Sequence, residues 1–131
     1  MSSETIASIV GPQRIIRYRV RLEDRLIDVG YLERTDHPLA RLAGDRRILN
    51  AAVEGTLGTY HAKAIETRDI RLKDANGRDV AARVNDGSAG RMRLVLTPGR
   101  IYHVIVIEPG KQELSEEGTR LLESFELTQG K

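Results

Sequence analysis

Few side chains in this sequence have the chemistry of a catalytic or metal site, and the histidines come first because imidazole titrates near neutral pH and binds metals. The chain has three of them, His37, His61 and His103, spread along its length. No two lie two or four positions apart, the spacing that places two ligands on one side of a strand or helix. We therefore expect His103, inside an apolar run, to be a core or edge histidine with a hydrogen-bond partner.

Acidic and nucleophilic groups give no stronger signal. Glu108 and Glu113 flank a Pro-Gly pair and could form a carboxylate pair at the end of a sheet, but the sequence places no acid–base partner beside them. The chain has no cysteine, which excludes disulfides, thiolate nucleophiles and Cys-ligated metal sites. It also lacks the GxSxG, HExxH and glycine-rich phosphate-loop motifs. We expect no catalytic residue, no metal and no cofactor.

An arginine row is the sequence feature that most favours a binding site. Arg17, Arg19 and Arg21 alternate with apolar residues, the period of a half-buried strand. The row predicts a basic strip that meets an acidic partner, a phosphate or an anionic lipid. The alternative, which the sequence favours, is the solvated face of an edge strand, where charge discourages sheets from aggregating. Both interpretations bury the apolar side chains, which are Ile16, Tyr18, Val20 and Leu22.

The bulk composition is that of one globular domain spanning residues 1–131, with a weakly structured segment or short edge strand over residues 1–13. Hydrophobic residues make up 40% and charged residues 31%, and the formal net charge is +2. One Phe, four Tyr and no Trp argue against a stacking platform for single-stranded nucleic acid. The apolar runs are too short for a transmembrane segment.

The elements follow from periodicity and turn signals. Alternation predicts a hairpin over residues 16–31. Asp45 can cap a helix over residues 45–57, with Gly58 as its C′ residue and Gly55 where a neighbour packs closely. Asn76-Gly77 predicts the turn of a second hairpin.

A third hairpin turns at Pro98-Gly99, and we expect Leu96 opposite Ile101 in it. Ser115 can cap a last helix whose first turn is acidic. Because both faces of the third hairpin are apolar, both must be covered. The sequence therefore predicts an α+β fold: an antiparallel sheet of about five or six strands with two main helices packed on it.

Three short elements in this order resemble a family of small bacterial domains. They are Gly77-Arg78-Asp79-Val80, Arg100-Ile101-Tyr102 and the C-terminal Leu121-Leu122-Glu123-Ser124-Phe125-Glu126-Leu127. The resemblance covers the segment from Asp45 to Leu127. It implies a PsbP-like α/β/α sandwich, a fold used for binding rather than catalysis, often in exported or envelope-attached proteins. It brings no catalytic residue to this chain.

We therefore expect a non-enzymatic binding or accessory domain of a bacterial protein, with a protein or peptide partner and no specific nucleic acid. The alternative is a small ligand-binding or enzymatic domain with a pocket between sheet and helix, which a pocket lined by His103 or Tyr102 near a carboxylate would favour. A third option is self-association through an exposed hairpin edge, as a monomer or weak dimer. The compartment would be the periplasm or cell envelope if a leader was trimmed, and otherwise the cytoplasm.

Overall fold

The computed structural model describes residues 2–6, 13–33, 38–73, 75–97 and 99–124. These residues form one antiparallel sheet and two helices, with the strands in the order β1-β2-β3-β7-β6-β5-β4. The strands are β1 (Ser2–Ile6), β2 (Gln13–Arg21), β3 (Leu26–Glu33), β4 (Ala62–Leu72), β5 (Ala75–Val84), β6 (Ala89–Leu96) and β7 (Arg100–Glu108). The helices are α1 (Pro38–Thr59) and α2 (Glu116–Glu123).

The α+β class, the antiparallel sheet and the two main helices are confirmed. The sheet has seven strands, one more than the upper number that the sequence predicts. The additional strand is β1, which pairs with the outer side of β2 from Ser2 opposite Arg17 to Ile6 opposite Gln13. As a consequence, β2 is not an edge strand.

The central hairpin has the predicted register, with Leu96 opposite Ile101. Its turn closes where the Thr97 amide donates to the Arg100 carbonyl over 2.8 Å. Pro98 lies outside the described residues. This hairpin places β6 and β7 side by side in the sheet, with strands on both outer flanks.

The predicted Asn76-Gly77 turn is wrong. Leu72 is opposite Ala75, so the chain reverses direction before Ala75, and Asn76 and Gly77 belong to β5. Lys73 has φ 47°, the left-handed conformation that tight hairpin turns need. Gly77 is needed for another reason: a Cβ there would come 2.5 Å from the carbonyl oxygen of Leu94 on β6.

Helix α1 begins before the predicted cap and continues past the predicted end. It is kinked at Gly44, which has φ 78° and ψ 158°, so Asp45 begins its second, longer part. Gly58 lies within the helix, and the left-handed residue beyond the helix is His61, with φ 51°. The prediction for Gly55 is also wrong, because it is exposed and a Cβ there would meet nothing within 4 Å.

The core has one layer on each side of the sheet. On the side that we call the α1 face, Leu49 and Val53 of α1 pack in one cluster with strand residues that include Val80, Leu94 and Ile105. On the opposite side, the α2 face, Leu122 packs with Val104 and Val106. The prediction that both faces of the central hairpin are covered is confirmed.

The two helices do not cover the whole sheet. Helix α1 contacts β4, β5 and β6, whereas α2 contacts β6 and β7. Helix α2 has only 8 residues, too few to reach across the strands beyond β7. The β2–β3 side of the sheet therefore has little helical cover, and the candidate functional site lies there.

Candidate functional site

The arginine row is on the α1 face, the side opposite to the one predicted. Arg17 and Arg19 are opposite Gly30 and Asp28 of β3, and these β3 residues are beside His103 and Ile105 of β7. Because side chains directly opposite each other share a face, the arginines point to the same side as His103 and Ile105, which is the α1 face. The prediction of a solvated arginine face is wrong for Arg17, which is only 8% exposed.

The three arginines have different surroundings. Arg17 is buried, Arg19 retains 40% exposure of its side chain, and Arg21 is exposed. The guanidinium of Arg19 lies 5.5 Å from the ring centroid of Tyr60. The row is therefore graded from buried to solvated rather than forming a uniform basic strip. Binding of an anion or partner by these residues stays a prediction.

Asp28 is the centre of the polar cluster on this face. Its side chain is fully buried. Its carboxylate is 2.9 Å from Nε2 of His103 and 3.4 Å from Nε of Arg19, and it accepts a hydrogen bond from the Tyr60 hydroxyl. The buried charge thus has donors from β2, from β7 and from the turn after α1, as a carboxylate removed from water requires. The prediction that His103 is a histidine with a hydrogen-bond partner is confirmed.

The protonation states of Asp28 and Tyr60 follow from these contacts. Burial alone would raise the pKa of Asp28, but the hydrogen bonds from His103 and Tyr60 and the charge of Arg17 outweigh it and lower that pKa to about 2. Burial and the hydrogen bond to Asp28 raise the pKa of Tyr60 to about 12. At neutral pH the carboxylate is therefore a weak base and the phenol a weak acid.

A shallow cleft lies between α1 and the sheet; its roughly 280 Å³ of empty space includes open solvent, and the enclosed part, about 20 Å³, has room for about one water molecule. It is lined mainly by apolar residues, which include Leu57, Ala82, Met92 and Ile105, and Tyr60 is part of the wall. The feature that would favour a ligand-binding or enzymatic domain, a pocket lined by His103 or Tyr102 near a carboxylate, is present only in part. His103 does have a carboxylate within hydrogen-bond distance, but His103 is not among the residues that line the cleft.

Glu108 belongs to a separate cluster on the α2 face and does not form the carboxylate pair that we considered with Glu113. It is buried, and it accepts from the Ser115 amide at 2.5 Å and the Ser115 hydroxyl at 2.6 Å. Nε of Arg25 is 3.6 Å away. Glu113 is exposed. Ser115 in turn accepts from the Gly118 amide at 3.0 Å, which confirms it as the N-cap of α2.

Asp79 on β5 is the third buried carboxylate. It bonds to Nε of Arg91 and to Nε of Arg93, each at 2.9 Å. These hydrogen bonds overcome the cost of burial and lower the pKa of Asp79. Within the described residues, no group of three His, Cys, Asp or Glu residues is arranged to hold a metal ion.

The α2 face of β2 and β3 carries an uncovered row of large apolar side chains. Tyr18 is opposite Val29 and Val20 is opposite Ile27. Tyr18 is 56% exposed, Val20 and Val29 are each 37% exposed, and Leu22, which follows β2 in the turn, is 47% exposed. We call this surface the apolar strip; its members are Tyr18, Val20, Leu22, Ile27 and Val29.

The apolar strip is the feature that sequence reasoning missed, because alternation shows that two faces differ but not which one is covered. The signal that could have found it is the length of the last helix. Its one buried leucine, Leu122, contacts the centre of the sheet and leaves the outer strands bare on that face.

Comparisons with known proteins add nothing to the fold described above. No family model matches the chain, and no curated protein does. Among solved structures, the chain is similar to the crystal structure of PA94 from Pseudomonas aeruginosa, a protein of unknown function described as a candidate regulator. The match has 11% sequence identity and a TM-score of 0.43, and it covers 82% of this chain and 83% of that one. At this level the likeness carries no functional argument.

Within the residues that the structure describes, no helix has both the length and the apolar character to cross a membrane.

Proposed function

We propose that this protein is a non-enzymatic binding domain that docks a partner protein on the apolar strip. The observation that carries the proposal is the exposure of Tyr18, Val20 and Val29, which lie on one face of two paired strands. Single exposed apolar residues are common, whereas a contiguous exposed row of them is typical of an interaction surface. Tyrosine is moreover enriched where partners meet.

The rim of the strip indicates the chemistry of the partner. Asp24, in the turn next to Leu22, has a side chain that is 65% exposed. Glu117 at the start of α2 is 75% exposed, and it lies at the same end because it is 3.3 Å from Arg25. Glu23 in the turn is also exposed. An apolar segment with lysine or arginine at one end would match this surface in both hydrophobicity and charge.

The polar cluster at Asp28 supports the non-enzymatic part of the proposal. A general acid or base works best with a pKa near the operating pH. The pKa values of Asp28 and Tyr60, about 2 and about 12, lie far from that range in opposite directions. The hydrogen bond from His103 lowers the pKa of Asp28, burial raises that of Tyr60, and their mutual hydrogen bond adds to both shifts, which is the behaviour of a structural pair.

The test uses a fluorescently labelled synthetic peptide with alternating leucine and serine and two lysines at one end. We expect it to bind wild-type protein, and to bind the Tyr18→Thr/Val20→Thr double variant at least about tenfold more weakly, since each lost side chain removes roughly 1.5 kcal/mol or more of burial. Threonine keeps the strand propensity. A peptide with glutamates in place of the lysines should also bind about tenfold more weakly.

The matched control is Arg21→Ala, on the opposite face of the same strand, which should leave binding of the lysine peptide unchanged. Amide chemical-shift changes confined to β2, β3 and the turn would locate the contact. Absence of binding, or equal binding by wild type and the double variant, would refute the proposal.

A second candidate function is supported by the cleft between α1 and the sheet. Its lining favours a small apolar ligand, and the Tyr60 hydroxyl is already engaged by Asp28. A short-chain alcohol such as 1-butanol is a suitable probe, because the enclosed space is small. Saturable binding that is lost in Ala82→Leu, which fills the cleft, would support this function, and no binding would exclude it.

We also propose that the fold is a PsbP-like sandwich of a bacterial domain. The support is the position of the three resemblance elements. Gly77–Val80 lies on β5, Arg100–Tyr102 begins β7, and Leu121–Ser124 ends α2. Phe125 and Leu127 lie outside the described residues. An experimental structure that superposes strand for strand on a PsbP-like domain would establish it, and a different strand order would exclude it.

A further inference from the structure

Strand β4 is a long edge with no neighbour on its outer side in the described part of the chain. It has 11 residues and pairs only with β5. Residues 63–69 are all exposed, and the strand contains neither proline nor glycine. The outer side of such a strand presents a row of backbone N–H and C=O groups that another strand can pair with.

The charges on β4 favour a second copy of the same strand as that partner. An antiparallel pairing about a two-fold axis at Thr67 overlaps the full strand with its copy. It places Glu66 of each copy opposite Arg68 of the other, so that two opposite-charge pairs form. Within one copy Arg68 is 3.8 Å from Glu66 and 3.7 Å from Asp79, and the Glu66 and Arg68 side chains, 68% and 58% exposed, are also accessible to a second copy.

Neighbouring two-fold registers are disfavoured by the same charges. An axis at position 66 would set Glu66 against its own copy, and an axis at position 68 would do the same with Arg68. Like charges directly opposite each other destabilise a sheet. The bulge between Ala64 and Glu66 leaves Ile65 as the extra residue and brings Ala64 opposite Asp69, which share a face. Hence the bulge is compatible with pairing over the whole strand.

We propose that two copies of this protein associate through β4, antiparallel about a two-fold axis at Thr67, and so form one continuous sheet. The pairing is isologous, as in most soluble homodimers. Strand β4 and the apolar strip are at opposite ends of the sheet, so the dimer can be tested independently of partner docking.

The experiment is sedimentation velocity of the full chain over a range of concentrations. Wild type should dimerise. Glu66→Arg and Arg68→Glu alone should each weaken the dimer at least about tenfold, because two favourable pairs become two repulsive ones. An equimolar mixture of these two variants should form a heterodimer, and the double variant Glu66→Arg/Arg68→Glu should dimerise like wild type.

Glu54→Arg, an exposed charge reversal on α1, is the matched control and should leave dimerisation unchanged. Circular dichroism checks that each variant is folded. A wild type that stays monomeric at the highest concentration would overturn the proposal without any variant. Single variants that dimerise as wild type, or a mixture that does not recover, would overturn the register and with it the proposed interface.

Discussion

Asp28 and His103 are 75 positions apart in the chain, yet the Asp28 carboxylate is 2.9 Å from Nε2 of the imidazole. Gly30, directly opposite His103, makes the approach possible. A Cβ at this position would lie 2.1 Å from the Ile16 carbonyl oxygen and 3.0 Å from Cε1 of His103. The contact joins β3 and β7 on the face where Tyr60 also packs. Its carboxylate, Asp28, is the only charged group of the cluster that is fully buried.

The first prediction concerns acid stability. The folded pKa of Asp28, about 2, is below its ordinary value of 3.8, so the stability that it contributes is present above pH 4 and is lost as the pH falls towards 2. We expect Asp28→Asn to lower the free energy of unfolding at pH 7 by about 2 kcal/mol. The difference from wild type should shrink over that interval, as measured by urea unfolding at each pH.

Glu54→Gln is the control for this prediction, because Glu54 is exposed on α1 and the loss of its charge should cost little. If Asp28→Asn and wild type show the same dependence on pH between 4 and 2, the carboxylate does not titrate as inferred.

The second prediction concerns the tyrosines, of which the chain has four. The pKa of Tyr60 is raised from 10.0 to about 12, so one phenol should ionise last in an ultraviolet titration. The raised pKa also means that the stability contributed by protonated Tyr60 is lost as the pH rises from about 10 to 12. Absorbance should therefore be read within the dead time of a pH jump, before unfolding.

Tyr60→Phe should remove the last phase and leave the earlier ones. Persistence of the late phase in Tyr60→Phe would assign it to another tyrosine.

The third prediction compares two glycines of α1 that have equal space but different backbone conformations. A Cβ would meet nothing within 4 Å at either Gly44 or Gly55. Gly55→Ala should stabilise the protein by about 0.5–1 kcal/mol, because alanine loses less backbone entropy in a helix. Gly44→Ala should destabilise by about 1–3 kcal/mol, because φ 78° with ψ 158° is a backbone conformation that is open almost only to glycine. Thermal unfolding of both variants measures the contrast; a change of the same sign in both would contradict it.

The fourth prediction compares two glycines of the sheet. At Gly77 a Cβ would come 2.5 Å from the Leu94 carbonyl oxygen, whereas at Gly90 the nearest atom is Cγ1 of Ile107 at 3.6 Å, an ordinary contact. Gly77→Ala should therefore cost about 1–3 kcal/mol, and Gly90→Ala less than about 1 kcal/mol. Chemical denaturation of the two variants is the measurement. Equal costs would show that β5 and β6 can separate freely at position 77.

Much of the fold was accessible from local pattern. The β2–β3 hairpin, the Leu96–Ile101 register and the Ser115 cap each depend on residues close together in sequence, where alternation, turn length and capping chemistry act directly. The prediction that His103 has a hydrogen-bond partner was also correct. Its partner Asp28 could not be named, because nothing in the spacing of the two residues indicates that β3 and β7 pair.

In the β4–β5 hairpin, the pairing of strands in the sheet overrides a strong local turn signal. Asn76-Gly77 has the composition of a tight turn, but the pairing of β5 with β6 requires Gly77 inside the strand, where any side chain would collide with Leu94. The chain instead reverses direction before Ala75, and Lys73 adopts the left-handed conformation although glycine would do so at lower cost.

The sequence by itself determined that residues 16–22 form a strand with an arginine face and an apolar face. The tertiary structure decided which face is covered. With β1 on the outer side of β2, and with α2 too short to reach past β7, the arginines turn towards Asp28 and Tyr60 while Tyr18 and Val20 stay exposed. The physical reason is that burial depends on what packs over a face, and neither the reach of a helix nor the order of strands is encoded in the alternation of one strand.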